Sequence, residues 1–67
     1  MDRPAYQQRV IDERDELQGR EHRLNAFIAG PPFVNIDADE QERMTRQRGL
    51  QRALIGVLNE RIVAFKP

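Results

Sequence analysis

The stretch that decides the fold is Ala38–Phe65, ADEQERMTRQRGLQRALIGVLNERIVAF. It holds most of the strongly apolar residues and predicts one long helix of about seven to eight turns. Its apolar residues from Leu50 onward spread around more than half of the circumference, whereas a helix packed on one core needs a stripe of only about 100°. We therefore expect a second partner surface, supplied by another copy of the chain. These residues are Leu50, Ala53, Leu54, Ile55, Val57, Leu58, Ile62, Ala64 and Phe65.

A first helix is predicted upstream, from about residue 3 to residue 29. Asp2 or Arg3 is expected at its start, because aspartate is a favourable N-cap and Pro4 is tolerated in the first turn. The helix is predicted to stop at Gly30, which we expect in the left-handed conformation of a C′ residue. The two prolines that follow Gly30 cannot continue a helix.

The first helix carries a seven-residue apolar repeat. Val10, Leu17 and Leu24 form one seam, which predicts packing against another helix. A neighbouring seam begins with Tyr6 and ends with Phe27 but carries charged residues between them. This break indicates either a functional row or the edge of an interface, where long side chains reach solvent.

The connector, residues 30–37, is short enough to fold the second helix back antiparallel on the first. Its Phe33, Val34 and Ile36 are expected to cover the open end of the hairpin.

The second helix, about residues 38–65, has a clear start signal. Asp37 is the expected N-cap, and Glu40 completes a capping-box pattern. The sequence therefore predicts an all-α fold in which residues 1–67 form a single domain, an antiparallel two-helix hairpin that assembles into a homo-oligomeric helical bundle.

Two glycines of the second helix, Gly49 and Gly56, share one face. They either permit a close approach of another helix or are merely tolerated.

Composition excludes several classes of function. Eleven basic residues balance eleven acidic ones, so the positive field of a bulk nucleic-acid-binding protein is missing. Cysteine is absent and histidine occurs once, which excludes a disulfide framework and a Cys/His zinc site. We therefore expect self-association to provide the stability that a small core alone does not. No apolar run is long enough for a membrane span or a signal peptide, so we expect a cytoplasmic protein.

Residues for catalysis are scarce. The chain has no serine and no cysteine, and Thr45 and His22 are the single residues of their types. Nucleophilic triads are therefore excluded, and we expect no enzyme, no metal and no cofactor.

Residues for binding are better represented. Ten of the eleven basic residues are arginines, which favour carboxylate and phosphate groups. A row on the first helix steps by three or four residues and consists of Tyr6, Arg9, Glu13, Glu16 and Arg20. In such a row, the tyrosine stacks on a base, arginines hold phosphates, and a glutamate accepts from a base N–H or a sugar hydroxyl. Two helices are too thin to enclose a ligand, so any pocket is expected between chains.

A second basic cluster comprises Arg43, Arg46, Arg48 and Arg52. It indicates either a solvated helix face or the binding surface of a small nucleic-acid-binding regulator.

Four segments together resemble a known family. PAYQQRVIDERDELQGREHRLNAFI, the connector from Phe33 to Ile36, DADEQERM and the ending LNERIVAF resemble the small phage helical-hairpin proteins of the anti-CBASS and anti-Thoeris type. The resemblance implies a homo-oligomer, a hexamer in the better-known members, that sequesters cyclic nucleotide signals of bacterial immunity without catalysis. It also implies the host bacterial cytoplasm as the location. By position, the family pattern corresponds to Tyr6, Arg9 and Glu13, and to Glu60 and Arg61 near the end.

We therefore hypothesise a phage immune-evasion sponge that binds cyclic oligonucleotides or a cyclic ADP-ribose isomer between subunits. The expected ligand-binding residues are Arg3, Tyr6, Arg9, Glu13, Arg20 and Arg61. Arg3 is included because helix N-termini attract anions. The alternatives are a structural or partner-binding hairpin and the small nucleic-acid-binding regulator.

Overall fold

The computed structural model describes residues 3–65 and contains two long helices. Helix α1 spans Ala5–Ala29, a short 3-10 helix spans Pro31–Asn35, and helix α2 spans Ala38–Val63. The helices lie side by side and antiparallel in a rod of 51 × 15 × 14 Å. No strand occurs among residues 3–65, so the all-α expectation is confirmed. The homo-oligomeric bundle remains a prediction.

Helix α1 begins slightly later than expected. Pro4 is its N-cap, and the Pro4 carbonyl accepts from the backbone N–H groups of Gln7 and Gln8 at 3.0 and 3.2 Å. The alternative N-cap Asp2 lies outside the described residues. An N-cap needs a carbonyl that accepts the first helical hydrogen bonds, and Pro4 supplies it with its φ already close to the helical value.

The expected left-handed conformation of Gly30 is wrong. Its backbone is extended, with φ −90° and ψ 165°, and its N–H donates to the Phe27 carbonyl at 3.1 Å. The chain passes from α1 directly into the 3-10 helix, whose first residue Pro31 has a fixed negative φ. This geometry requires no left-handed residue.

The connector is held against α2 by one amide. Nε2 of Gln41 donates to the carbonyls of Phe33 and Ile36, at 2.8 and 3.0 Å. The side chains of Phe33 and Ile36 are half-buried, as befits residues that cover the end of a hairpin. Val34 was expected to share this role, but the residue lies within the 3-10 helix and is 76% exposed.

Asp37 caps α2 as predicted. Its carboxylate accepts from the backbone N–H of Asp39 at 3.1 Å. The reciprocal half of the capping box is not formed among residues 3–65, because Glu40 instead accepts from Nε of Arg43 at 2.7 Å. Helix α2 ends at Val63, two residues before the expected end.

The core is thin, since two helices share only one interface. Val10 and Leu58 are the buried apolar residues of the described chain, at 5% and 1% exposure, and Gln7 is its buried polar residue. In the same interface, Oε1 of Gln51 is buried without a hydrogen-bond partner among residues 3–65. Because this acceptor is unpaired and the core is small, we expect the single hairpin to have a low free energy of unfolding.

One edge of the hairpin is closed by polar contacts between the helices. Arg14 donates to Asn59 at 2.7 Å, and Arg52 donates to Glu21 at 2.7 Å and to Asn25 at 2.9 Å. These pairs fix the antiparallel register. We call this edge the polar edge; it consists of Arg14, Glu21, Asn25, Arg48, Arg52 and Asn59.

Gly49 and Gly56 do not bring α1 and α2 close together. A Cβ atom at either position would meet no atom within 4 Å, so both glycines face open space in the hairpin.

Candidate functional site

The other side of α2 presents an apolar surface to solvent. Leu50, Leu54 and Val57 are 66%, 44% and 51% exposed. Their spacing of four and three residues places them on one face of the helix. We call these three residues the apolar face. The expected second apolar surface of this helix is therefore present.

A shallow depression of about 180 Å³ adjoins the apolar face. It is lined by Glu13, Glu16, Leu17 and Arg20 of α1 and by Leu54 of α2. Leu54 thus belongs to both the depression and the apolar face. We call this feature the central depression, since it lies midway along the hairpin.

Among residues 3–65, the central depression contains one ion pair and one carboxylate without a partner. Nη2 of Arg20 donates to Oε1 of Glu16, one turn earlier on α1, and both side chains are more than 60% exposed. Glu13 forms no hydrogen bond or ion pair within residues 3–65. An ionised carboxylate without a partner is available to accept from a ligand.

Tyr6 lies near the open end of the hairpin, beyond the central depression. Its ring meets that of Phe65 edge to face, with centroids 5.9 Å apart and planes at 80°. Its hydroxyl accepts from Nε2 of Gln7 at 3.3 Å, and the side chain is 54% exposed. Phe65 therefore contacts the tyrosine directly, and this contact was not predicted from the sequence. It could have been predicted, because an antiparallel hairpin brings the end of the second helix next to the start of the first.

The expected row is therefore divided in two. Tyr6 and Arg20 are separated by fourteen residues, which is about 21 Å along a helix. Glu13, Glu16 and Arg20 meet at the central depression, whereas Tyr6 and Arg9 lie toward the termini.

Arg61 lies on the same side of the hairpin as the central depression. It follows Leu54 by seven residues, so it shares that face of α2 two turns farther on. Because Arg14 pairs with Asn59, the antiparallel register sets Arg61 level with Asp12, about one helical turn from Arg9. Both arginines are exposed, and neither forms an ion pair within the described chain.

Arg3 is exposed and lies immediately before the α1 N-cap. The structure does not bring it to the central depression.

The second basic cluster is engaged within the chain. Each of its four arginines has a side-chain acceptor, which reduces its capacity to bind nucleic-acid phosphates. The pairs are Arg43 with Glu40, Arg46 with Glu42, Arg48 with Asn25, and Arg52 with both Glu21 and Asn25.

Other types of site find less support. Residues 3–65 contain no group of three or more His, Cys, Asp or Glu side chains that could hold a metal ion. A membrane-crossing helix is likewise absent from this part of the chain. A second, more open depression of about 430 Å³ lies beside the connector and includes none of the expected ligand-binding residues.

These features define a small helical-hairpin protein, in which an apolar face adjoins a depression of mixed polarity. The sequence profile of the Sequestin family matches residues 4–64, and the chain belongs to that family. This match confirms the resemblance to phage sponge proteins and indicates a family that binds and sequesters small signalling molecules.

A relative is encoded by Enterobacteria phage T4 and is described as an uncharacterized 7.5 kDa protein in the denB-rIIB intergenic region. The two chains are 34% identical over 62 residues, which cover 92% of this chain and 97% of the relative. No solved structure matches the chain.

Proposed function

We propose that this protein is a phage immune-evasion sponge. It binds cyclic nucleotide second messengers, either cyclic oligonucleotides or a cyclic ADP-ribose isomer, in pockets between subunits and does not cleave them. Sequestration in the cytoplasm of the host bacterium keeps the messenger from its receptor. Family membership and the phage relative support this class of function.

The observation that carries the proposal is the position of Leu54. This residue belongs to both the apolar face and the central depression. A second copy that covers the apolar face therefore also covers the depression and turns it into an enclosed pocket. Self-association and ligand binding are thus two consequences of one surface.

The total surface of the chain supports self-association. The chain exposes 5168 Å², whereas a folded monomer of 7.8 kDa is expected to expose about 4,400 Å². The excess of about 800 Å² follows from the thin rod shape of the hairpin, in which two helices share one interface and leave the apolar face for a partner to cover. The resemblance favours a hexamer, in which each subunit has more than one such contact.

The expected ligand-binding residues have distinct roles in this proposal. Tyr6 stacks on a base, because about half of this residue is exposed and its ring is therefore accessible to a ligand. Phe65 contacts the same ring edge to face. Arg9 and Arg61 hold phosphates, since neither has an ion-pair partner within residues 3–65. Arg20, which is expected from the sequence to hold a phosphate as well, borders the pocket and already donates to Glu16. Arg3 adds positive charge near the start of α1.

The proposal is tested by calorimetric titration of the purified chain with cyclic dinucleotides, cyclic trinucleotides and cyclic ADP-ribose isomers. We expect heat from at least one of them, with the bound compound recovered unchanged by chromatography. Absence of heat with the whole panel refutes the proposal and favours a hairpin whose apolar face contacts a different protein. Recovery of a cleaved compound contradicts binding without catalysis.

A further inference from the structure

The central depression on one hairpin is too small for a complete ligand. Its volume of about 180 Å³ is below the ~300–1,000 Å³ of pockets that enclose a drug-sized molecule. One chain therefore contacts one moiety of the ligand there, such as a sugar or a base. The remainder of the ligand extends toward the termini or toward a second copy.

The charges in the depression are unsuited to a phosphate. Arg20 already donates to Glu16, and the Glu13 carboxylate has no partner within residues 3–65. An ionised carboxylate only accepts hydrogen bonds, and it repels an anion at short range. The moiety in the depression is therefore one that donates hydrogen bonds, while the phosphates lie near Arg9 and Arg61.

The geometry points to Glu13 as a specificity-determining residue that accepts two adjacent hydrogen bonds from the ligand. The two oxygens of a carboxylate match a pair of neighbouring donors. Such a pair is supplied by the vicinal hydroxyls of a ribose, which glutamate and aspartate side chains recognise in dinucleotide-binding proteins, or by the N1–H and amino N–H of guanine. Adenine offers one amino group beside an acceptor nitrogen on the same edge, which leaves one carboxylate oxygen unpaired.

The apolar lining agrees with this role. Leu17 and Leu54 flank the carboxylates and offer contact to the face of a sugar or a base. Glu13 has this role only if the chain binds cyclic nucleotides as proposed above.

The test compares three probes by calorimetric titration of the full chain. Cyclic di-GMP carries the guanine donor pair, cyclic ADP-ribose carries free ribose diols, and 3′,5′-cyclic di-AMP carries neither. We expect the wild-type chain to bind at least one of the first two about tenfold or more tightly than cyclic di-AMP, as one charged hydrogen bond would produce. A preference for cyclic di-GMP identifies the guanine edge, and a preference for cyclic ADP-ribose identifies the diol.

The Glu13→Gln variant keeps the shape of the side chain but replaces one acceptor with a donor. We expect it to bring the affinities for the three probes within roughly threefold of one another, because the second hydrogen bond is lost. Asp12→Asn is the matched control, since it removes the same charge from an exposed neighbour outside the depression. The control is expected to retain the wild-type preference.

Two results overturn the role of Glu13 and leave the proposed function standing. One is a Glu13→Gln variant that retains the preference, and the other is a wild-type chain that binds the three probes equally. A wild-type chain that gives no heat with any compound of the whole panel of cyclic dinucleotides, cyclic trinucleotides and cyclic ADP-ribose isomers overturns both.

Discussion

Replacing Leu50 with glutamate distinguishes a solitary hairpin from an assembled one. In the hairpin, Leu50 is 66% exposed, and glutamate is a good helix former. The variant is therefore expected to change the stability of an isolated hairpin by no more than about 0.5 kcal/mol. In an assembly that covers the apolar face, the same carboxylate is buried without a partner, which disfavours association.

The magnitude follows from the exposed fractions of the apolar face. Leu50, Leu54 and Val57 each leave roughly half of the side chain exposed, and complete burial of such a side chain contributes about 1.5–3 kcal/mol. Covering the exposed halves therefore contributes about 2–5 kcal/mol per subunit. This is comparable with the ~3–10 kcal/mol expected for the whole unfolding free energy of a chain of this length.

The assay is urea denaturation followed by circular dichroism at several protein concentrations. The wild-type midpoint is expected to rise with protein concentration, because association stabilises only the folded state. The Leu50→Glu midpoint is expected to be lower and independent of concentration, with the helical spectrum retained.

Val63→Glu serves as the control, since Val63 is 85% exposed and lies on a different face of α2. Its midpoint should depend on protein concentration as that of the wild type does, with at most a small overall decrease because a carboxylate at a helix C-terminus is unfavourable. A wild-type midpoint that does not depend on concentration, together with an unchanged Leu50→Glu midpoint, would refute the reasoning.

Three further substitutions test the fold and the site. Leu58→Ala removes the most deeply buried side chain and is expected to lower the unfolding free energy by about 2–5 kcal/mol. A loss below about 0.5 kcal/mol in urea denaturation would show that the core lies elsewhere. Asp37→Ala removes the α2 N-cap and should cost about 1 kcal/mol, whereas Asp37→Asn should retain most of the stability. Tyr6→Ala is expected to abolish binding of the cyclic nucleotide identified by calorimetry while leaving the sedimenting mass unchanged; unaltered affinity would contradict the stacking role.

The fold was largely predictable because local signals agree with the hairpin. The two prolines after Gly30 and the cap at Asp37 mark the turn, and the α2 boundaries follow from them within two residues. The conformation of Gly30 was mispredicted because glycine tolerates several backbone conformations. Which one it adopts depends on the 3-10 helix that follows, and that helix is held by a Gln41 side chain eight residues away from Phe33.

The candidate site was only partly predictable, because its geometry depends on register. Periodicity along α1 indicates that Glu13, Glu16 and Arg20 share a face, and the depression includes all three. Periodicity along one helix does not reveal that Leu54 of α2 completes the lining. That pairing depends on contacts such as Arg14 with Asn59, whose partners are far apart in sequence.

The polar edge was not recognised from the sequence for the same reason. Arg48 and Arg52 resemble a free basic cluster when α2 is considered alone. In the hairpin, both arginines donate to Asn25 of α1. These two arginines therefore form contacts between the helices, which the sequence of α2 alone does not reveal.

Sedimentation equilibrium of the free wild-type protein tests most directly whether copies of the chain cover the apolar face. We predict a mass of two or more times that of the 7.8 kDa chain, and a Leu50→Glu variant that sediments as a lighter species. A wild-type chain that remains at 7.8 kDa over the whole concentration range would leave the apolar face uncovered and contradict the proposal of pockets between subunits.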